Sequence, residues 1–135
     1  MTVLGVDPGT RKIGFAVVDT AGGRAPSLGI IPVEALSERL REILVKTPVD
    51  VAAVGRGTNV TAIADAVRAL GLRVELVDER ETSLLARGRF FSDHPPRGWR
   101  RFIPRGMLLP DRPIDDYAAL LIAERFLASL TEGEE

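Results

Sequence analysis

Acids in this sequence stand at places where a fold would bring them together. Asp7 ends one apolar run, Asp78 and Glu79 end another, and Asp115 and Asp116 follow a proline. In an open α/β sheet, ligands gather at the carboxyl ends of the strands. Asp7 and the Asp78-Glu79 pair read as such ends, and a helix packed on the sheet can carry Asp115 to the same place. Carboxylates from separate elements make a hard oxygen site, suited to Mg²⁺ or Mn²⁺ rather than Zn²⁺. Two such ions activate water and stabilise the leaving oxygen of a phosphodiester. The chain has no Cys and one His, so other metal chemistry has little footing. His94 reads as an ordinary loop residue.

Strand alternation lets only one of Asp78 and Glu79 face Asp7. Their strand reads as buried on both faces, so periodicity leaves the choice open; a solvated turn is the plainer alternative for both. Acids in a first helical turn also favour the macrodipole, which gives Asp115 and Asp116 a structural explanation. Against it, Ala118, Ala119, Ile122 and Phe126 share the helical face of Asp115. That spacing predicts an Asp115 carboxylate over the packed side, where it needs a partner.

Asp7, Gly9, Thr10 and Gly14 also spell the phosphate-binding hairpin of sugar kinases and actin-like ATPases. There glycine lets backbone N–H groups approach a phosphate. Such ATPases use two domains with a cleft between them, and 135 residues are expected to make one.

The elements that must position these acids follow from apolar periodicity. Strands are predicted over 2–7, 13–19 and 26–33, with turns at 8–12 and 21–23. A helix spans Glu34 to Lys46, with Leu36, Leu40, Ile43 and Leu44 at helical spacing. The run from Val49 to Gly55 reads as a parallel strand covered on both faces. A helix from Thr58 to Leu70 closes at Gly71, and Thr58 suits its N-cap. A fifth strand covers Arg73 to Asp78, and a third helix runs from Thr82 to about Phe91. Residues 92–112 form a Pro- and Arg-rich loop. Pro113 opens the last helix, which ends near Leu130. The fold class is α/β: a five-stranded mixed sheet, its first three strands an antiparallel meander and the rest parallel, with helices on both faces. One domain spans 1–135, and 131–135 is a frayed tail.

Net charge is −1, so the total says nothing about polyanions. The distribution says more: 16 of 18 basic residues are Arg. From Arg80 to Arg112, eight Arg face three acids (Glu81, Asp93, Asp111), a local excess of +5. That excess suits phosphates; pairing with nearby acids is the plainer account. Gly55-Arg56-Gly57-Thr58, between strand and helix, offers backbone N–H groups to a phosphate with Arg56 beside it. Trp99, Arg100 and Arg101 present an aromatic among arginines, able to stack on unpaired bases while the arginines hold phosphates. Alternatively Trp99, Phe102 and Ile103 tuck into the core, leaving Arg100, Arg101 and Arg105 to reach out. No apolar run suits a membrane span, and no signal pattern opens the chain, so a cytoplasmic protein with no membrane partner is expected.

The runs LGVDPGTRKIGFAVVD (Leu4–Asp19), VDERET (Val77–Thr82) and PIDDYAALLIAERFL (Pro113–Leu127) together resemble the YqgF/RuvX-type nucleases. These are RuvC-like members of the RNase H-like superfamily. The resemblance covers nearly the whole chain, in order. It implies an RNase H-like fold and a catalytic triad of Asp7, Glu79 and Asp115 holding Mg²⁺ or Mn²⁺, and so favours Glu79 over Asp78. Asp116 is a further candidate ligand. Family members are described as Holliday-junction resolvases or as nucleases that mature the pre-16S rRNA. Two places depart from the family pattern: Gly55 to Thr58 replaces a Gly-Leu-Pro-like segment, and Pro95 to Pro113 is longer than the usual link. Thr10, Arg11, Arg56, Thr58, Arg80, Trp99, Arg100, Arg101 and Arg105 are the expected nucleic-acid contacts. Leu84, Leu85 and Phe90 offer a homodimer surface, because RuvC-like resolvases act as dimers. The competing functions are an inactive nucleic-acid-binding module of the same fold and a nucleotide-binding ATPase fragment.

Overall fold

Strand alternation sorts the sheet into two faces, and unbroken burial along β1, β2 and β4 shows that both are covered. The computed structural model describes residues 1–20, 26–78, 82–102, 110 and 113–133. Its strands are β1 (Thr2–Asp7), β2 (Lys12–Asp19), β3 (Ser27–Pro32), β4 (Val51–Gly55) and β5 (Val74–Val77). They lie in the order β3-β2-β1-β4-β5. β1 to β3 form the expected antiparallel meander, and β1, β4 and β5 run parallel. The five-stranded mixed sheet is as the sequence predicts.

One face carries Leu4, Val6, Ile13, Phe15, Ala52 and Val54. Helices α1 (Leu36–Lys46) and α2 (Val60–Arg68) cover it with Leu36, Leu40, Ile63 and Val67. The opposite face carries Val3, Ala16, Val51, Ala53 and Val77. Helix α4 (Asp115–Gly133) covers it with Ala119, Leu120, Ile122, Ala123 and Phe126. Helix α3 (Thr82–Asp93) packs against α4 through Ala86, Phe90 and Phe91.

Small residues set how closely α4 approaches. A Cβ on Gly5 would overlap the Ala119 carbonyl, and one on Gly14 would overlap the Asp115 carbonyl. Both glycines lie where helix backbone meets strand backbone. Gly14 thus serves helix packing, a use the phosphate-hairpin pattern did not suggest.

Several boundaries differ from expectation, each for a local reason. Pro113 does not open α4: the Tyr117 and Ala118 N–H groups both donate to the Ile114 carbonyl, so helical pairing starts there. At its other end α4 runs on to Gly133, through Glu132, a good helix former, so most of the expected frayed tail is helical. Thr58 is not an N-cap: α2 starts at Val60, behind Asn59. α2 ends at Arg68 with Ala69 as its C-cap, short of the expected Leu70, and Gly71 follows two residues later at φ 89°. α1 is preceded by a 3-10 turn over Val33–Ala35, and a second such turn, Gly98–Phe102, interrupts the expected loop. Among the described residues no helix is long and apolar enough to cross a membrane.

Candidate active site

Asp7 ends β1, half-buried, and pairs in register with Gly14 of β2. Paired residues on antiparallel strands point to the same face. The missing Gly14 side chain would point at Asp115, so Asp7 lies on the α4 face, beside the first turn of α4. The parity agrees, since Val3 packs against Ile122 and Ala123 of α4, and Asp7 is four residues further along the strand. The first strand and the last helix therefore bring their acids to one corner of the sheet.

The two acids of α4 differ. Asp115 is partly exposed, and its Oδ2 stands 3.3 Å from Lys12 Nζ at the start of β2. Asp116 is only 6% exposed and accepts the Tyr117 N–H through Oδ1 at 3.0 Å. Ala119, Ile122 and Phe126, on the Asp115 face, are buried as expected, but the Asp115 side chain itself stays partly exposed. α4 is covered by the sheet and by α3 together, so its buried arc also takes in Asp116, Leu120 and Ala123. Asp115 sits at the margin of that arc, where a carboxylate meets both solvent and the sheet corner.

Tyr117 adds a tie between helices. Its hydroxyl donates to Asp93 Oδ2 at 2.8 Å, joining the end of α3 to the start of α4. Phe90 stands edge-on to Tyr117 with centroids 5.7 Å apart. His94 stacks on Phe90 at 4.6 Å and donates its backbone N–H to the Phe90 carbonyl. His94 is thus part of this ring cluster and not an ordinary loop residue. Phe90 is 3% exposed, which removes it from the expected partner surface; Leu85, at 56%, stays exposed. The Leu84 side chain lies outside the described residues.

Glu79, Arg80, Ile103 and Arg105 lie outside the described residues, as do the side chains of Trp99 and Arg100. Among the described residues no three His, Cys, Asp or Glu form a group able to hold a metal ion. Asp7, Asp115 and Asp116 are the acids described at this corner. Thr10, Arg11, Arg56 and Thr58 are all exposed in the loops around it. Phe102 is 77% exposed, so it does not tuck into the core, and Arg101 lies over its ring at 5.0 Å. Within the Arg80–Arg112 stretch, pairing accounts for Arg89, which bridges α3 to Glu124 of α4 at 2.8 Å; outside it, Arg68 and Arg73 pair with Asp65 and Glu75.

Sequence reasoning missed Lys12, Asn59 and Tyr117. Asn59 donates from Nδ2 to the Gly9 carbonyl at 3.1 Å, in the turn just past Asp7. An Asn between a glycine-containing turn and a helix was the available signal, since Asn tolerates left-handed backbone.

The family model described as "RuvX: Holliday junction resolvase" matches residues 1–129. The chain belongs to the RuvX family. Its relatives include a "Putative pre-16S rRNA nuclease" of Pelotomaculum thermopropionicum, 34% identical over 96% of this chain and 88% of that protein. A protein of the same name from Thermus thermophilus is 32% identical over 95% of this chain and 98% of that one. Among solved structures, T. thermophilus RuvC in complex with a Holliday junction substrate superposes with a TM-score of 0.61 at 22% identity, covering 96% of each chain. The Fowlpox virus resolvase bound to Holliday junction DNA gives 0.56 at 13% identity, covering 96% of this chain and 99% of that one. These likenesses show the RNase H-like fold of RuvC. Membership of the RuvX family makes the chain a nuclease, acting on nucleic acid.

Proposed function

We propose that this RuvX-family nuclease is Mg²⁺- or Mn²⁺-dependent and works through Asp7, Glu79 and Asp115. One observation carries the proposal: packing of α4 onto Gly14 brings the Asp115 turn to the face of the sheet that Asp7 occupies. The donor set fits a hard cation, since all its members are carboxylates and two come from elements far apart in sequence. For the third, the likeness of VDERET (Val77–Thr82) to the family motif supports Glu79 over Asp78.

A bound divalent cation supplies Lewis acidity toward the phosphodiester. The chain's own residues do the rest. Asp7 and Asp115 offer carboxylate oxygens from two directions. Asp116, buried and bonded to the Tyr117 N–H, orients the first turn of α4. Lys12 pairs with Asp115 at 3.3 Å and would offer a cation to a phosphate bound at this corner. Thr10, Arg11, Arg56 and Thr58 grip the backbone around the acids. Arg80, Arg100, Arg101 and Arg105 extend the grip, with Trp99 stacking on unpaired bases. The protein works in the cytoplasm.

The substrate proposed is the precursor end of small-subunit ribosomal RNA, which gives the relatives at 32–34% identity their name. Branched DNA is the second reading, favoured by the description of the family model. It calls for a homodimer, since a junction needs two active sites, and sedimentation velocity measures that directly. The relatives' names favour catalysis over a module that only binds. Labelled precursor-rRNA ends and a four-way junction, each with Mg²⁺ and with Mn²⁺, separate the substrates. Asp7→Asn is expected to lose cleavage by about 100-fold or more, the scale of losing one group aimed at developing charge. If Asp7→Asn cuts as well as the parent, the proposal is wrong.

A further inference from the structure

The loop from β4 to α2 carries no acid, yet it touches both strand ends that do. On one side, the Arg56 N–H donates to the Val77 carbonyl at 3.0 Å, closing the Gly55–Val77 pair where the β4–β5 ladder runs out into the loop. On the other, Asn59 Nδ2 donates to the Gly9 carbonyl at 3.1 Å, two residues past Asp7. Between them Val60 N–H closes on the Gly57 carbonyl, which keeps the loop tight.

Asn59 is unusual in two independent ways. Its backbone is left-handed, at φ 67° and ψ 21°, and among the described residues it alone does this without being glycine. L-residues avoid that region because Cβ crowds the carbonyl, and Asn tolerates it best. Asn59 is also the N-cap of α2, a position where Asn ordinarily bonds the helix's own N–H groups. Here it makes no such bond. The side chain is turned away from its own helix, and its N–H goes to a turn fifty residues earlier in the chain. β4 is already paired with β1 and β5 along its length, so the sheet does not depend on this contact. An uncommon backbone and a diverted cap both lead to the turn behind Asp7.

We infer that the Gly55–Asn59 loop is a brace that fixes the distance between the two acid-bearing strand ends, and that Asn59 is its positioning residue. The brace acts through Asp7, so the inference rests on the reading of Asp7 as a cation ligand. Asn59 itself touches neither cation nor substrate.

Two variants test it. Asn59→Gly keeps the left-handed backbone at no steric cost and deletes the amide. Asn59→Asp keeps the size and turns the donor into an acceptor facing the Gly9 carbonyl. Both are expected to melt near the parent temperature. Both should show faster amide hydrogen exchange at Gly9 to Lys12, with exchange in α2 unchanged. Calorimetric titration with MnCl₂ alone should give an apparent Kd raised by roughly tenfold, the low end for a residue supporting a ligand. kcat should fall with KM nearly unchanged. Parent-like exchange and Mn²⁺ affinity in both variants overturn the inference. So does a large drop in melting temperature with exchange raised throughout α2, which makes Asn59 a folding residue. Asp7→Asn in the same titration keeps the two readings apart. Parent-like Mn²⁺ binding there overturns Asp7 as ligand, while the exchange data on the Asn59 variants judge the brace alone.

Discussion

The two faces of the sheet are built to different ends. The face under α1 and α2 is filled by large aliphatics, with Leu4, Ile13, Ile31, Leu40 and Ile63 all at most 2% exposed. The face under α4 also carries Val3, Val51 and Val77, but small residues line the crossing itself, where Gly5, Gly14 and Ala16 meet the α4 backbone, Ala119 and Ala123. Both faces bury large apolar side chains and so both contribute cohesion. On the α4 face the small side chains at the crossing also let helix backbone lie against strand backbone. That closeness is what brings the Asp115 turn over the strand pair that holds Asp7. Both faces keep the sheet folded, and one of them also aims it.

If so, substitutions on the two faces should part stability from cleavage. Gly14→Val is expected to do most harm to activity. Its side chain would meet the Asp115 carbonyl and push the first turn of α4 off the sheet. Displacement of about 1 Å at such a site costs on the order of 100-fold in rate. Overpacking should add a stability loss of about 1–3 kcal/mol, read by urea denaturation. Full cleavage by this variant would break the contrast between the faces.

Tyr117→Phe should do less. It removes the hydroxyl bond to Asp93 that ties α3 to the start of α4. We expect about 1 kcal/mol of destabilisation and a rate loss under tenfold, with Mn²⁺ still bound. A loss as large as that of Gly14→Val would place the aim of α4 in the tyrosine tie and not in the small residues. Leu40→Ala should affect cleavage least and stability most. It opens a cavity on the bulky face, at a cost of about 2–5 kcal/mol, while the folded fraction cuts at the parent rate per molecule. A fall in specific activity at a temperature where the variant is fully folded would show that the bulky face also aims the site.

The order of elements, the mixed sheet and the corner where Asp7 meets α4 were legible in the sequence, because period, turn residues and strand-end acids all register there. Other features depend on what packs against what. Helical spacing put Asp115 on the packed face, but a second covering helix widened the buried arc and took in Asp116 more deeply. Phe102 reads as apolar and therefore inside, yet a 3-10 turn presents it to solvent beside Arg101. Phe90 reads as a surface residue in a helix of weak amphipathicity, and α4 covers it. Asn59 looked like part of a helix start, and its bond to Gly9 is set by the tertiary closeness of two loops. The contacts of Phe90 and Asn59 leave no periodic trace, since each joins residues remote in the chain.

The corner of acids draws on the first strand and on the helix that follows every other element. A growing chain can form its sheet, bury its bulky face and still lack half of its cutting edge. Until α4 arrives and lies down on the two glycines, Asp7 has no carboxylate from the far end of the chain beside it. A RuvX chain clipped before α4 would lose Asp115 and the cover over one face of its sheet together. Competence to cut is conferred last, by the same docking step that finishes the fold.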